Sequence, residues 1–180
     1  MAAGEGKRLR PLTLDRPKCL VEIDGLSLLD RQLATLKHPK IKEIIIIGGY
    51  KIGLLKGKAD KILENPRYHE TNMVWTLFCA EDELNENLII SYGDIVYSKK
   101  VLEDLINSNS DVSVIIDKDW ESYWSIRNED PLSDAETLKL RKDGTIFEIG
   151  QKPKSIKEIE GQYIGLTKFS QKGMASLNAV

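Results

Sequence analysis

Apolar positions along this chain change their spacing repeatedly, and each change marks a different kind of element. Leu26, Leu29, Leu33 and Leu36 recur at helical spacing, and Ser27-Leu28-Leu29-Asp30 reads as a capping box at their start. A helix is therefore predicted, ending near His38-Pro39. Glu43-Ile44-Ile45-Ile46-Ile47 is then a short β-branched run stopped by Gly48-Gly49, the pattern of a strand buried on both faces. Thr71 or Asn72 can cap a second helix, whose apolar face carries Met73, Leu77, Ala80 and Leu84. A second buried strand, Leu88-Ile89-Ile90, runs into Ser91-Tyr92-Gly93-Asp94. Another helix is expected near Val101 to Ile106, and Val112 to Ile116 supplies a third apolar strand.

The style then changes. Thr137-Leu138-Lys139-Leu140-Arg141 alternates, Asp143-Gly144 is a hairpin turn signal, and Thr145-Ile146-Phe147-Glu148-Ile149 answers it. Gln162 to Phe169 reads as one more strand. The front of the chain is β-α-β-α-β and the back antiparallel, with no repeat, low-complexity tract or linker. These patterns predict one α/β domain with a mixed sheet over residues 1–180.

Composition narrows the function classes. A chain of 180 residues suits one domain with a substantial core. Its net charge of −2, without a basic face outside the first loop, argues against nucleic-acid binding. No apolar run approaches the roughly 20 residues that span a bilayer, and no signal peptide is recognisable. Cys19 and Cys79 have neither metal-ligand spacing nor a disulfide framework; both read as packed thiols of a cytoplasmic protein.

Against that acidic balance, Lys7, Arg8, Arg10, Arg16 and Lys18 crowd into the first loop, opposed there by Glu5 and Asp15. Gly4 and Gly6 let a ligand approach the main chain, whose N–H groups can turn toward an anion. A polyphosphate is the natural guest. Ligands of open α/β sheets bind beyond the carboxyl ends of the strands, which is where Gly48-Gly49-Tyr50 and Gly93-Asp94 fall. Asp94 is the candidate ligand for Mg²⁺, a cation that prefers hard oxygens; its alternative is a turn residue that caps the next segment. Other chemistries fit poorly. His38 and His69 have no partners that suggest a nucleophilic triad. Lys7 is not followed by Ser or Thr as a P-loop requires, and Gly4-Glu5-Gly6 lacks the third glycine of a dinucleotide fingerprint.

Ala2 to Thr13 with Pro17-Lys18 closely resembles the signature of nucleotidyltransferases that activate sugar phosphates and related small phosphates. That signature is a Gly-x-Gly-x-Arg loop followed several residues later by Pro-Lys. The resemblance extends through Gly48-Gly49-Tyr50, Thr71-Asn72-Met73 and Tyr92-Gly93-Asp94. Asn72-Met73, the stretch from Asp130 to Thr137 and Gly161 to Gly165 look most like the cytidylyltransferase branch, which includes phosphocholine, phosphonate and phosphoglutamine cytidylyltransferases, the last nearest.

The resemblance implies a Rossmann-like three-layer fold, with a mixed, mostly parallel central sheet and an antiparallel acceptor-side part. It implies transfer of CMP from CTP to a small phosphorylated or phosphonate acceptor, with Mg²⁺ and release of pyrophosphate. Gly4, Glu5 and Gly6 would offer main-chain donors to the triphosphate, and Arg8 would neutralise the departing pyrophosphate. Lys18 would draw the α-phosphate and the acceptor together, and Asp94 would carry the metal. Ala3, Gly49 and Asn72 would meet the pyrimidine, although Asn72 is equally a helix cap. Trp120, Trp124, Asp134, Glu136 and Tyr163 are acceptor candidates, aromatics beside acids that suit a cationic head group; packing is their ordinary role. A homodimer is compatible with this reading. The alternatives are a sugar-1-phosphate nucleotidyltransferase using UTP, dTTP or GTP, and a non-catalytic nucleotide-binding module. Members of the family have an apolar strand before the Ala-Ala-Gly segment and a second acidic metal ligand after the last strand here. The expectation is a fragment short at both ends, with edges near Ile45 and Ile89 unpaired and poor activity as it stands.

Overall fold

A computed structural model describes residues 1–84 and 86–177 of the chain. It divides into two units, one of Met1–Ser113 with the stretch from Gly165 onward, the other of Val114–Ile164.

In the first unit, Asp24 and Gly25 take left-handed backbone (φ 50° and 73°), the conformation of a two-residue hairpin turn. They join β1 (Glu22–Ile23) to β2 (Leu26–Ser27). Helix α1 (Leu28–Leu36) starts at Ser27, whose Oγ accepts from the Asp30 amide at 3.0 Å and donates to the Asp30 carboxylate at 2.6 Å. The predicted cap is therefore real. Leu28 and Leu29 of α1 are buried, and Leu29 packs in one core cluster with Cys19, Ile46 and Leu55.

Strand β3 (Ile45–Gly48) follows and pairs in parallel with β4 (Lys61–Glu64), from Ile45 opposite Lys61 to Gly48 opposite Glu64. The sequence did not announce β4, because Ile62 and Leu63 alone make no periodic pattern. Helix α2 spans Met73–Phe78, shorter than expected. Met73 is exposed rather than part of an apolar face, and Ala80 and Leu84 are buried beyond the helix end. Strand β5 (Leu88–Ser91) and helix α3 (Lys99–Asn107) lie where the pattern placed them. Strand β6 (Val112–Asp117) leads out of this unit, and β9 (Gln162–Phe169) leads back to it before α5 (Gln171–Leu177). The sheet order is β5-β9-β6, with β5 antiparallel to β9 from Leu88 opposite Phe169 to Ser91 opposite Leu166.

Met1–Ala3 links β3 to the segment that follows β5. The Ala2 amide donates to Ile47 O at 2.8 Å in a parallel bridge, and Met1 O accepts from the Gly93 amide at 2.7 Å. The unit has a cavity of about 710 Å³ lined by β3, β5 and the apolar side of α1.

In the second unit, α4 (Trp120–Arg127) carries Trp120 into a cluster with Ala135 and Ile159. The expected hairpin is present as β7 (Leu138–Leu140) and β8 (Ile146–Ile149). Its turn has Gly144 at φ 83°, and the Asp143 carboxylate accepts from the Thr145 amide and hydroxyl at 2.9 and 2.7 Å. The fold is α/β, and among the described residues no helix is long and apolar enough to cross a membrane.

Candidate active site

The glycine-rich loop is shaped by two close approaches. Gly6 has φ 66°, and a Cβ built on it would lie 2.8 Å from the Cβ of Lys18, so any side chain there would be strained and would displace Lys18. Thr13 is buried and its hydroxyl donates to Gly6 O at 2.9 Å. The loop thus closes on itself, with Gly6 seated against the stem of Lys18. Gly4 has open space around the position of a Cβ, so its backbone is accessible.

Lys18 begins a short 3₁₀ turn after the buried Pro17. Its ammonium pairs with the carboxylate of Asp94, and both side chains are only partly exposed. Next to Lys18, burial pushes the Cys19 thiol up to about 11, so it is a packed neutral group. Gly93 is held close to the loop's origin: a Cβ there would meet Ala2 Cβ and Met1 O, each at 2.9 Å. Gly6, Lys18 and Asp94, far apart in sequence, therefore form one contiguous surface of fixed backbone and opposed charges.

Arg8 lies exposed in the turn Lys7–Leu9 immediately after Gly6. The Glu5 carboxylate is used locally, accepting from Arg10 at 3.2 Å with the Lys7 ammonium at 3.6 Å.

A second group assembles at the end of β3. The Tyr50 amide donates to Ala3 O at 3.0 Å, and the Tyr50 hydroxyl donates to Leu14 O at 2.8 Å. Gly49 must be small, because a Cβ there would lie 2.6 Å from Tyr68 Cβ and 2.9 Å from Ala3 O. Fully buried Asn65 donates its amide to the hydroxyls of Thr71 (3.0 Å) and Thr76 (2.9 Å), and its own N–H donates to Gly48 O at 2.8 Å. This network fixes the start of α2 against the end of β3. Asn72 is exposed there, and its side-chain oxygen accepts from the Trp75 amide at 3.0 Å. The cap is made by the side-chain oxygen, so the NH₂ group takes no part in it.

Asn65 and Tyr68 were not singled out by sequence reasoning, and Thr13 and Tyr50 entered it only as members of longer motifs. Asn65 carried a faint signal, since it lies between Ile62-Leu63-Glu64 and Pro66. Nothing local marks the full burial of Thr13.

The acceptor candidates all lie in the second unit. Trp120 is buried; its indole N–H donates to Ile159 O at 3.3 Å and its ring meets Trp124 edge-on at a 6.2 Å centroid distance. It belongs to the packing, and a ligand-facing Trp120 is corrected on that ground. Trp124 is half-buried, donates to Asp134 O at 3.4 Å, and has the Arg127 guanidinium 5.4 Å from its ring centre. The cation over this aromatic is thus the protein's own. Asp134 and Glu136 are exposed and Tyr163 is half-buried. The Glu136 backbone is clasped by buried Gln162, which donates to Glu136 O at 2.7 Å.

Among the described residues, no group of three or more His, Cys, Asp and Glu is arranged to hold a metal ion. A single carboxylate at Asp94 fits an ion that keeps most of its coordination on phosphate and water, as Mg²⁺ does. It does not fit a resident metal caged by protein.

Comparison with known proteins identifies the family. Residues 1–145 match the MobA-like NTP transferase domain. The chain is 43% identical to the CTP:phosphoglutamine cytidylyltransferase of Campylobacter jejuni, over 99% of this chain and 75% of that protein. It is 31% identical to the choline-phosphate cytidylyltransferase of Streptococcus pneumoniae, over 72% of this chain and 53% of that protein. In fold it is similar to the inositol-1-phosphate CTP transferase of T. maritima, with a TM-score of 0.74 and 19% identity over 99% of this chain and 72% of that one. The family generally uses a divalent metal. With the family model matched over residues 1–145 and a cytidylyltransferase relative matched over nearly the whole chain, the assignment follows: it is a nucleotidyltransferase of the MobA-like NTP transferase domain family, on the cytidylyltransferase branch.

Proposed function

We propose that this protein transfers CMP from CTP to a small acceptor that carries a phosphate or phosphonate, with release of pyrophosphate. The observation that carries the proposal is the contact of Lys18 with both Gly6 and Asp94. Without nucleotide, Lys18 and Asp94 neutralise each other. A triphosphate that arrives with its metal replaces both partners at once: Lys18 turns to phosphate oxygens, and Asp94 would hold the ion, Mg²⁺ in this reading. The ion's contribution is to neutralise charge on the triphosphate.

The acceptor oxygen attacks the α-phosphorus, the bond from that phosphorus to the bridging oxygen breaks, and pyrophosphate leaves with the electron pair. No protein nucleophile takes part, so positioning and charge neutralisation carry the catalysis. Main-chain groups of Gly4, Glu5 and Gly6 hold the triphosphate, Arg8 offsets the charge of the leaving pyrophosphate, and Lys18 keeps the two phosphates from repelling. Ala3 and Gly49 present backbone to the base. The Asn72 NH₂ group donates to cytosine O2 or N3; uracil has a donor at N3, so contact at N3 favours cytosine.

For the acceptor, the exposed carboxylates of Asp134 and Glu136 support a substrate with an amino or amide group, and Tyr163 and the edge of Trp124 complete the candidate pocket. The relatives named for phosphoglutamine and choline phosphate support the same class. Two free cysteines, one deeply buried, support a cytoplasmic setting.

A panel of CTP, UTP, dTTP and GTP crossed with phosphoglutamine, phosphocholine, 2-aminoethylphosphonate and glucose-1-phosphate tests the proposal by pyrophosphate release. Turnover is expected with CTP and the nitrogen-bearing acceptors, phosphoglutamine foremost. Release only with glucose-1-phosphate and a triphosphate other than CTP would move the protein to the sugar-1-phosphate enzymes. Tight CTP binding with no turnover would make it a binding module.

A further inference from the structure

One polar residue lies within the apolar stripe of α1. Gln32 follows Leu29 by one helical turn, immediately precedes Leu33, and is 6% exposed. Its Nε2 donates to Tyr92 O at 2.8 Å and to Ile95 O at 3.0 Å. An amide NH₂ has two hydrogens, and the two carbonyls account for both. Those carbonyls stand on either side of Gly93-Asp94.

Other bonds anchor the approach to this segment: the Tyr92 amide donates to Gly165 O at 2.9 Å, and the Gly93 amide to Met1 O at 2.7 Å. Both act before Asp94 in the chain. The bond from Gln32 to Ile95 acts after it, so this side chain grips the loop across the carboxylate. A leucine would complete the apolar stripe, and a glutamine there leaves the stripe broken. Its hydrogen bonds serve a loop about 60 residues away in sequence, not its own helix.

We infer that Gln32 is a positioning residue: through Tyr92 O and Ile95 O it fixes the backbone that aims the Asp94 carboxylate. The inference rests on Asp94 as the carboxylate that meets the metal carried by the nucleotide. Residues that orient a metal ligand from behind typically change metal affinity about 10- to 100-fold when removed.

Mn²⁺ binding in the presence of CTP, read as loss of the free-ion electron paramagnetic resonance signal, tests this together with thermal melts. Gln32→Met keeps the length and volume and removes both donors. The two carbonyls left without a donor lower its melting temperature, and Mn²⁺ affinity measured below that temperature is expected to fall about 10-fold. A merely structural glutamine would lower the melting temperature and leave Mn²⁺ affinity unchanged, and that result would overturn the inference. If Gln32→Met does not fold, Gln32→Glu decides, because its carboxylate faces the same two carbonyls and must weaken Mn²⁺ binding at least as much. Asp94→Asn is the control. Wild-type Mn²⁺ affinity in that variant sinks the metal reading itself, whereas weakened binding there with unaffected Gln32 variants sinks only the positioning role.

Discussion

The glycine loop of the first unit and the aromatic cluster of the second spend their polar groups differently. Around Gly6, backbone is packed tightly enough to exclude a Cβ, yet the charges of Lys18 and Asp94 stay partly exposed and paired with each other. A ligand of matching charge can replace that pairing without leaving either group bare. Around Trp120, the indole N–H, the ring edges and the nearby cation are committed within the protein. A ligand there gains little by displacing them. A site is therefore marked less by residue type than by groups that are held in place yet exchangeable.

Substitutions can break this contrast, and the largest effect is expected in the second unit. Trp120→Ala should cost about 3–5 kcal/mol of stability in a chemical denaturation, the loss typical of a buried tryptophan, with the acceptor KM unchanged in the folded fraction. Lys18→Met should do the opposite, lowering kcat about 10²- to 10³-fold with little change in melting temperature. Gly6→Ala combines the two: left-handed strain of about 1–3 kcal/mol and a displaced Lys18, hence lower stability and lower kcat together. Glu136→Gln sharpens the acceptor side, with an acceptor KM raised about 10-fold, roughly 1.4 kcal/mol, and an unchanged melt.

The thiols give the smallest signal. Burial holds the Cys19 thiol at about 11, above its ordinary value near 9, so the folded state keeps this proton longer than the unfolded one. Stability from this group is complete below pH 9 and is lost as pH rises toward 11. At pH 8 a thiol reagent should modify half-buried Cys79 first, leaving Cys19 unmodified until the protein unfolds.

Legibility in the sequence followed the same physics. The isoleucine run before Gly48, the cap at Ser27 and the Asp143-Gly144 turn were readable because each needs a particular local chemistry. Lys18 was readable as a candidate because positive charge clustered against the acidic balance of the chain, and Asp94 because it follows an apolar strand and a glycine. Strand β4 was not, since its pairing is set by the free edge of β3 rather than by its own pattern. Nor were the hydroxyl of Thr13, the amide of Asn65 or the burial of Trp120, which depend on neighbours brought in from elsewhere. Met73 shows the reverse error: its apolar type suggested a core face, and its surroundings leave it exposed.

The central claim is that the Lys18–Asp94 pair, seated on Gly6, opens to receive a metal-bound triphosphate. A crystal structure with CTP and Mg²⁺ tests it most directly. The account predicts the phosphates on the backbone of Gly4 to Gly6, the ion on Asp94, and the Lys18 ammonium moved from Asp94 to phosphate. An intact Lys18–Asp94 pair with the nucleotide bound elsewhere would contradict it.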